Sequence, residues 1–136
     1  MTPQQIAAVQ ESFKLVLPIS EQAGALFYGR LFEVAPGVRA LFKGDMQEQA
    51  RKLMLTLATV VKSLDRLETI LPTVKALAVR HVAYGAKPEH YPVVGEALIW
   101  TLQQGLGDTF TPELEASWVA AYRALSGVMI EAAEAA

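Results

Sequence analysis

The chain has 136 residues, 52% of them hydrophobic and 19% charged, which describes one globular domain over residues 1–136 rather than a disordered chain. It contains no cysteine, so disulfides, thiolate catalysis, zinc ribbons, iron–sulfur ligation and thiolate-ligated haem are excluded. A net charge of −2 with scattered Lys and Arg argues against a nucleic-acid surface, and no run approaches the ~18 apolar residues of a membrane span. The start Met1-Thr2-Pro3-Gln4-Gln5 has neither a basic segment nor an apolar one of the secretory kind, which leads us to expect a cytoplasmic protein.

Helix signals run through the whole chain. Thr2, Pro3 and Gln5 form an N-cap, a proline at the first helical position and a capping-box glutamine. Ile6, Val9, Phe13, Val16 and Leu17 supply its apolar stripe up to Pro18. Ser20 is placed to cap a second helix reaching Ala35, where Pro36 stops it. Val38, Leu41 and Phe42 belong to a short helical turn broken at Lys43-Gly44. Asp45 to Glu48 reads as a second capping box, opening a helix to about Leu64 with Leu53, Leu57, Val60, Val61 and Leu64 facing inward. Gln49 lies one turn before Leu53, a polar amide in line with that stripe.

The next helix starts near Pro72 and ends at Gly85, with Val74, Leu77, Ala78, His81 and Val82 on one face. Pro88 opens a helix carrying Tyr91, Val94, Leu98 and Leu102 inward and ending near Gly105 and Gly107. Thr111-Pro112 begins the last, with Leu114, Trp118, Tyr122, Leu125 and Met129 along one face. No segment alternates with period two, so the expected fold class is all-α, with six or seven helices in one domain.

Common catalytic templates are missing: there is no G-x-S-x-G, no phosphate-binding G-x-x-x-x-G-K-[ST], no H-E-x-x-H and no G-x-G-x-x-G. His81 and His90 are the only histidines, nine positions apart with Gly85 between them, so they do not share a helix face. A multi-histidine metal site is therefore excluded. A single axial ligand is not, and a haem iron can be held by one histidine. Taken alone, His81 also fits a core histidine whose ring is satisfied by a hydrogen bond, since an unsatisfied buried group costs on the order of 1–3 kcal/mol.

The ordered set Tyr28, Pro36, Phe42 six positions on, Gln49, Leu53 and His81, followed by Lys87-Pro88-Glu89-His90-Tyr91-Pro92-Val93-Val94-Gly95, resembles the globin family. More narrowly it is similar to bacterial single-domain haemoglobins and the globin domain of flavohaemoglobins, from Thr2 to about Ala132. The resemblance implies a globin fold of roughly six to eight helices around haem b, iron protoporphyrin IX. It makes His81 the proximal iron ligand through Nε2, its other nitrogen donating to a backbone carbonyl or a side chain. Phe42 would stack on the porphyrin, although a core aromatic at a helix corner is equally compatible with its type. Tyr28 and Gln49 would point at bound dioxygen and Leu53 would limit the space. Tyr28 also has a plain reading as a half-buried tyrosine with its hydroxyl in solvent. Lys52 is a candidate propionate contact or simply a solvated lysine. Tyr91 would border the haem near His81 and Val94 on the distal wall, with His90 exposed and Trp118 and Tyr122 packing the core.

Gln49 stands where many globins carry a distal histidine, which leads us to expect an open sixth position in the ferrous protein and Tyr28 as a conditional ferric ligand. In flavohaemoglobins a tyrosine and a last-helix glutamate tie the proximal histidine. Tyr91 matches the tyrosine, but the glutamate position falls at Ala133, between Glu131 and Glu134. That weakens electron donation to His81. Flavohaemoglobins also carry a reductase half, and with the chain ending at Ala136 an external reductase is the expected partner. The implied functions are reversible binding of dioxygen, with nitric oxide and carbon monoxide as further ligands, or nitric oxide dioxygenation to nitrate. A haem-free interaction or sensor module, with His81 merely in the core, is the third.

Overall fold

The computed structural model describes residues 1–42 and 44–135. Among them there are six α-helices, linked by short 3-10 turns, and no strand. Helix α1 (Pro3–Val16) opens as the sequence predicts. The Thr2 hydroxyl accepts from the Gln5 N–H at 3.1 Å, and the Thr2 N–H donates to Gln5 Oε1 at 3.0 Å. Leu17 does not continue the stripe. The chain tightens there into a 3-10 turn (Leu17–Ile19), which swings Leu17 outward to 46% exposure.

Ser20 does not cap α2 (Ser20–Val34). It already lies in helical backbone (φ −59°, ψ −36°), whereas a side-chain cap needs an extended residue, so Ile19 takes the cap position without a side-chain bond. A 3-10 turn (Pro36–Leu41) follows, and Phe42 leaves it in extended backbone. The expected break at Lys43-Gly44 lies at Lys43 outside the described residues; Gly44 has a φ of +90°.

Helix α3 (Met46–Lys62) is capped by the Asp45 carboxylate, which accepts from the Gln47 N–H at 2.9 Å. The reciprocal half of the expected box is not made, because Glu48 pairs with Arg51 three positions on. The helix stops short of Leu64, which starts the next 3-10 turn (Leu64–Thr69) and is buried. Helix α4 (Leu71–Ala83) ends as the glycine signal predicts. Gly85 has a φ of +96°, the Ala86 N–H donates to the His81 carbonyl at 2.9 Å, and the Gly85 N–H to the Val82 carbonyl at 3.0 Å, a Schellman cap.

Helix α5 (His90–Leu106) begins two residues later than Pro88 suggests. His90 is half-buried rather than exposed, since its Nδ1 accepts from the Lys87 N–H at 3.0 Å and folds the ring over the turn. In α6 (Pro112–Ala135) the first turn is tied by the Thr111 hydroxyl, which accepts from the Leu114 N–H at 3.2 Å.

The buried residues form two clusters. The larger joins α1, α2, α3, α5 and the first half of α6, and Trp118 lies within it, 6.1 Å from the Phe13 ring. Trp118 Nε1–H donates to Ser12 Oγ at 2.9 Å, and that hydroxyl donates to the Val9 carbonyl at 3.0 Å, so both buried polar groups are satisfied. The smaller cluster joins α4 to α6 through Val74, Ala78 and Met129. Helix α4 packs chiefly on α6 and on the turn before it.

Helices α2 and α3 cross where Gly24 meets Ala50. A Cβ built on Gly24 lies 2.7 Å from the Ala50 Cβ, closer than two carbons can approach. We expect Gly24→Ala to lower the unfolding midpoint, because overpacking of ~1–3 kcal/mol outweighs the ~1 kcal/mol helix gain of alanine. Ala50→Gly should also destabilise, yet the double variant should be more stable than the two losses added. Additive losses in a denaturant-unfolding cycle would contradict the close crossing.

Candidate functional site

The residues singled out from the sequence divide between the two clusters. Tyr28 lies one turn beyond Gly24 on α2 and is 9% exposed. Its ring sits in an aromatic cage: edge-on to Phe27 at 5.0 Å and to Phe42 at 5.2 Å, and stacked on Phe32 at 5.8 Å. Phe42 is half-buried and meets Phe32 edge-on at 5.4 Å. These three rings pack around the tyrosine ring. Its hydroxyl, however, makes no hydrogen bond among the described residues and is not sealed in the core.

Burial pushes the Tyr28 hydroxyl up to about 12, so it stays a neutral phenol and a hydrogen-bond donor at any ordinary pH. Gln49, next to the crossing residue Ala50, is half-buried, and its side-chain amide likewise has no protein partner among the described residues. Leu53, one turn on, is half-buried against the larger cluster. Leu53 also borders a small apolar cavity of about 10 Å³ lined by Phe13, Phe27, Met54, Leu57 and Leu98. Lys52 points to solvent, and no ion pair holds it among the described residues.

His81 stands on the other side, on α4. Its Nδ1 lies 2.8 Å from the Leu77 carbonyl oxygen. A carbonyl only accepts, so Nδ1 carries the proton, and in the neutral ring Nε2 presents a free lone pair. The ring is half-buried, while Val82 beside it is 45% exposed rather than on the inner face, since α4 leaves the core there toward its C-terminal cap. Of the expected α4 stripe, Val74 and Ala78 are buried and Leu77 half-buried.

Tyr91 packs against the α4–α6 cluster, on the side of the molecule that holds His81. No hydrogen bond joins it to the imidazole; its carbonyl accepts from the Tyr122 hydroxyl at 2.7 Å. Burial raises the pKa of both tyrosines, that of Tyr122 strongly, with Tyr91 adding to it. Val94 is half-buried against the larger cluster. Glu131 and Glu134 are exposed, and Ala133 between them is half-buried.

These residues offer one imidazole nitrogen free of protein partners with its ring oriented by a backbone carbonyl, two polar donors without protein partners, and the half-buried apolar side chains of Phe42, Leu53 and Val94. That donor set fits a planar, largely apolar group carrying one metal with a single protein ligand, as a haem does.

A family profile described as Globin matches residues 25–129, from within α2 to near the end of α6. The chain is a globin. It is 32% identical to the flavohemoprotein of Bacillus subtilis over 127 residues, which is 88% of this chain and 32% of that protein. With the flavohemoprotein of Rhodopirellula baltica it shares 32% identity over 96% of this chain and 33% of the relative. The chain thus spans about a third of the curated relatives it matches. Among solved structures, a bacterial globin from Campylobacter jejuni superposes with a TM-score of 0.88 at 25% identity, covering 98% of this chain and 97% of that one. An engineered carbene transferase from Rhodothermus marinus, provisionally a nitric oxide dioxygenase, superposes with a TM-score of 0.91 at 25% identity, covering 99% and 94%.

In this globin the sequence reading passed over Phe27 and Phe32, which complete the cage around Tyr28. Phe32 at four positions from Tyr28 was the available signal, because that spacing stacks side chains on one helix face. Arg39 was passed over too. Its position three residues before Phe42 reads as an ordinary exposed arginine until its contacts are known.

The raised Tyr28 pKa has a stability consequence whose sign is fixed. In the unfolded chain a tyrosine ionises near ~10, whereas folded Tyr28 holds its proton to about 12. The unfolded state therefore gains by ionising first, and stability falls as pH rises from about 10 toward 12. Tyr28→Phe should make that decline shallower in urea unfolding measured across this range. An unchanged slope would contradict the desolvation of Tyr28 on folding.

Proposed function

We propose that this globin binds haem b and uses it for reversible dioxygen binding, with His81 as the axial ligand and Tyr28 and Gln49 as donors to the gas. The observation that carries the reading is the division of the site: an open Nε2 on α4, and two donors without protein partners on α2 and α3. Haem, when bound, supplies a ferrous iron that takes up diatomic gases and shifts electron density onto them. The chain has no cysteine for a covalent thioether attachment, which favours haem b.

The protein's own residues set the outcome. His81 is oriented by the Leu77 carbonyl, which fixes the ring and turns Nε2 away from that bond. Phe42, Leu53 and Val94 keep water from the pocket, and Phe42 and Tyr91 border the cofactor, Tyr91 on the His81 side. The Tyr28 phenol and the Gln49 amide donate to a ligand that gains negative charge, in surroundings where water competes little. Each such bond is worth ~1.5–3 kcal/mol, and ~1.4 kcal/mol is a tenfold change in affinity. An amide ligates iron poorly, so Gln49 would act on dioxygen, nitric oxide or carbon monoxide as a donor and would not take the metal itself. Lys52, solvated here, is a candidate for a propionate only by moving its side chain.

The similarity to flavohemoproteins and to the Rhodothermus marinus protein favours a second reading, nitric oxide dioxygenation with electrons from a reductase. Against it stands the partner of His81, a carbonyl that pushes less charge onto the ring than a carboxylate does.

Stopped-flow measurement of dioxygen release from the ferrous protein tests the first reading. Tyr28→Phe should speed release tenfold or more, and Gln49→Leu should speed it by less. Unchanged release in both variants would contradict the donor roles. Sustained nitrate formation from nitric oxide under a supply of reductant, at rates far above autoxidation, would instead favour the dioxygenase.

A further inference from the structure

The Tyr28 cage closes on a residue that is itself poorly anchored by secondary structure. Phe42 has left the 3-10 turn, with φ −99° and ψ 119°, and the next helix does not begin until Met46. Its ring nevertheless makes edge contacts with both Tyr28 and Phe32. Two bonds hold it. The Phe42 N–H donates to the Arg39 carbonyl at 3.2 Å, and Arg39 Nη1 donates to the Phe42 carbonyl at 3.1 Å. The same guanidinium lies over the Phe32 ring, 5.3 Å from its centroid. Arg39 is exposed and takes part in no ion pair among the described residues, so these two aromatic neighbours account for its position. A planar cation can donate in its plane and present its face to a ring at the same time, which a point charge does less well.

We propose that Arg39 is a positioning residue for the Tyr28 hydroxyl, clamping Phe42 and Phe32 so that the tyrosine ring has one orientation. The consequence for gas release rests on the donor role given to Tyr28 above, whereas the consequence for the ring does not. Removing the clamp frees Phe42 to shift with its extended segment, and the Tyr28 ring then samples more than one position.

The test uses the full chain labelled with 3-fluorotyrosine, its four tyrosines resolved by ¹⁹F NMR and the Tyr28 signal identified by its loss in Tyr28→Phe. In Arg39→Met the Tyr28 resonance should broaden or split while those of Tyr91 and Tyr122 stay in place. Arg39→Lys, which retains a cation and a donor, should restore it in part. Arg39→Gln serves as the second truncation, and thermal unfolding checks that each variant folds. A Tyr28 resonance unmoved in Arg39→Met and Arg39→Gln overturns the proposal, whatever the protein does with haem.

In the haem-loaded protein, Arg39→Met should speed dioxygen release about threefold or more and broaden the carbon monoxide stretching band. Both effects should vanish in the Tyr28→Phe background. Equal effects with and without the Tyr28 hydroxyl would show that Arg39 acts elsewhere and would also overturn the positioning role.

Discussion

The close crossing of α2 and α3 is the constraint from which the site follows. Gly24 has no side chain and Ala50 has one carbon, so the two backbones meet at a distance that no larger pair allows. Tyr28 stands four residues, or about 6 Å of helix rise, beyond Gly24. Gln49 and Leu53 flank Ala50 on the opposite helix. One packing contact thus fixes the separation of the phenol, the amide and the leucine that would limit ligand size.

The imidazole is fixed independently. Helix α4 owes its place to the α4–α6 cluster and to the Schellman cap at Gly85, in which the His81 carbonyl itself is an acceptor. The ring is then oriented one turn back, at the Leu77 carbonyl. The two halves of the site belong to different clusters, which Ile70 and Leu125 join by packing against both. What they present is a phenol held protonated by burial, an amide, and an imidazole whose Nε2 makes no protein hydrogen bond among the described residues. Such a set suits a small uncharged ligand better than an anion or a metal ion held by several side chains.

Much of the fold was legible because its punctuation is local chemistry. The reciprocal cap of Thr2 and Gln5, the glycine stop at Gly85 and the Thr111 cap all appear where residue type and spacing place them. The misreadings share a cause, which is competition between alternatives of similar energy. Ser20 loses its cap role because the chain never leaves helical backbone long enough, and Glu48 finds Arg51 before the Asp45 N–H. Within the site, residue types could be assigned from the order of Tyr28, Phe42, Gln49 and His81, but partners could not. The sequence left the His81 hydrogen bond open between a carbonyl and a side chain, and it gave no sign that Arg39 reaches both Phe42 and Phe32. Those contacts depend on how a turn of 3-10 helix aims one long side chain.

Haem titration of the purified protein beside His81→Gly, followed by added imidazole, tests the central claim most directly. The account predicts a one-to-one complex with a five-coordinate ferrous spectrum in the wild type, a spectrum degraded in His81→Gly, and its return when free imidazole fills the vacated position. A wild-type protein that takes up no haem, or a His81→Gly spectrum identical to it, would contradict the assignment of His81 as the ligand.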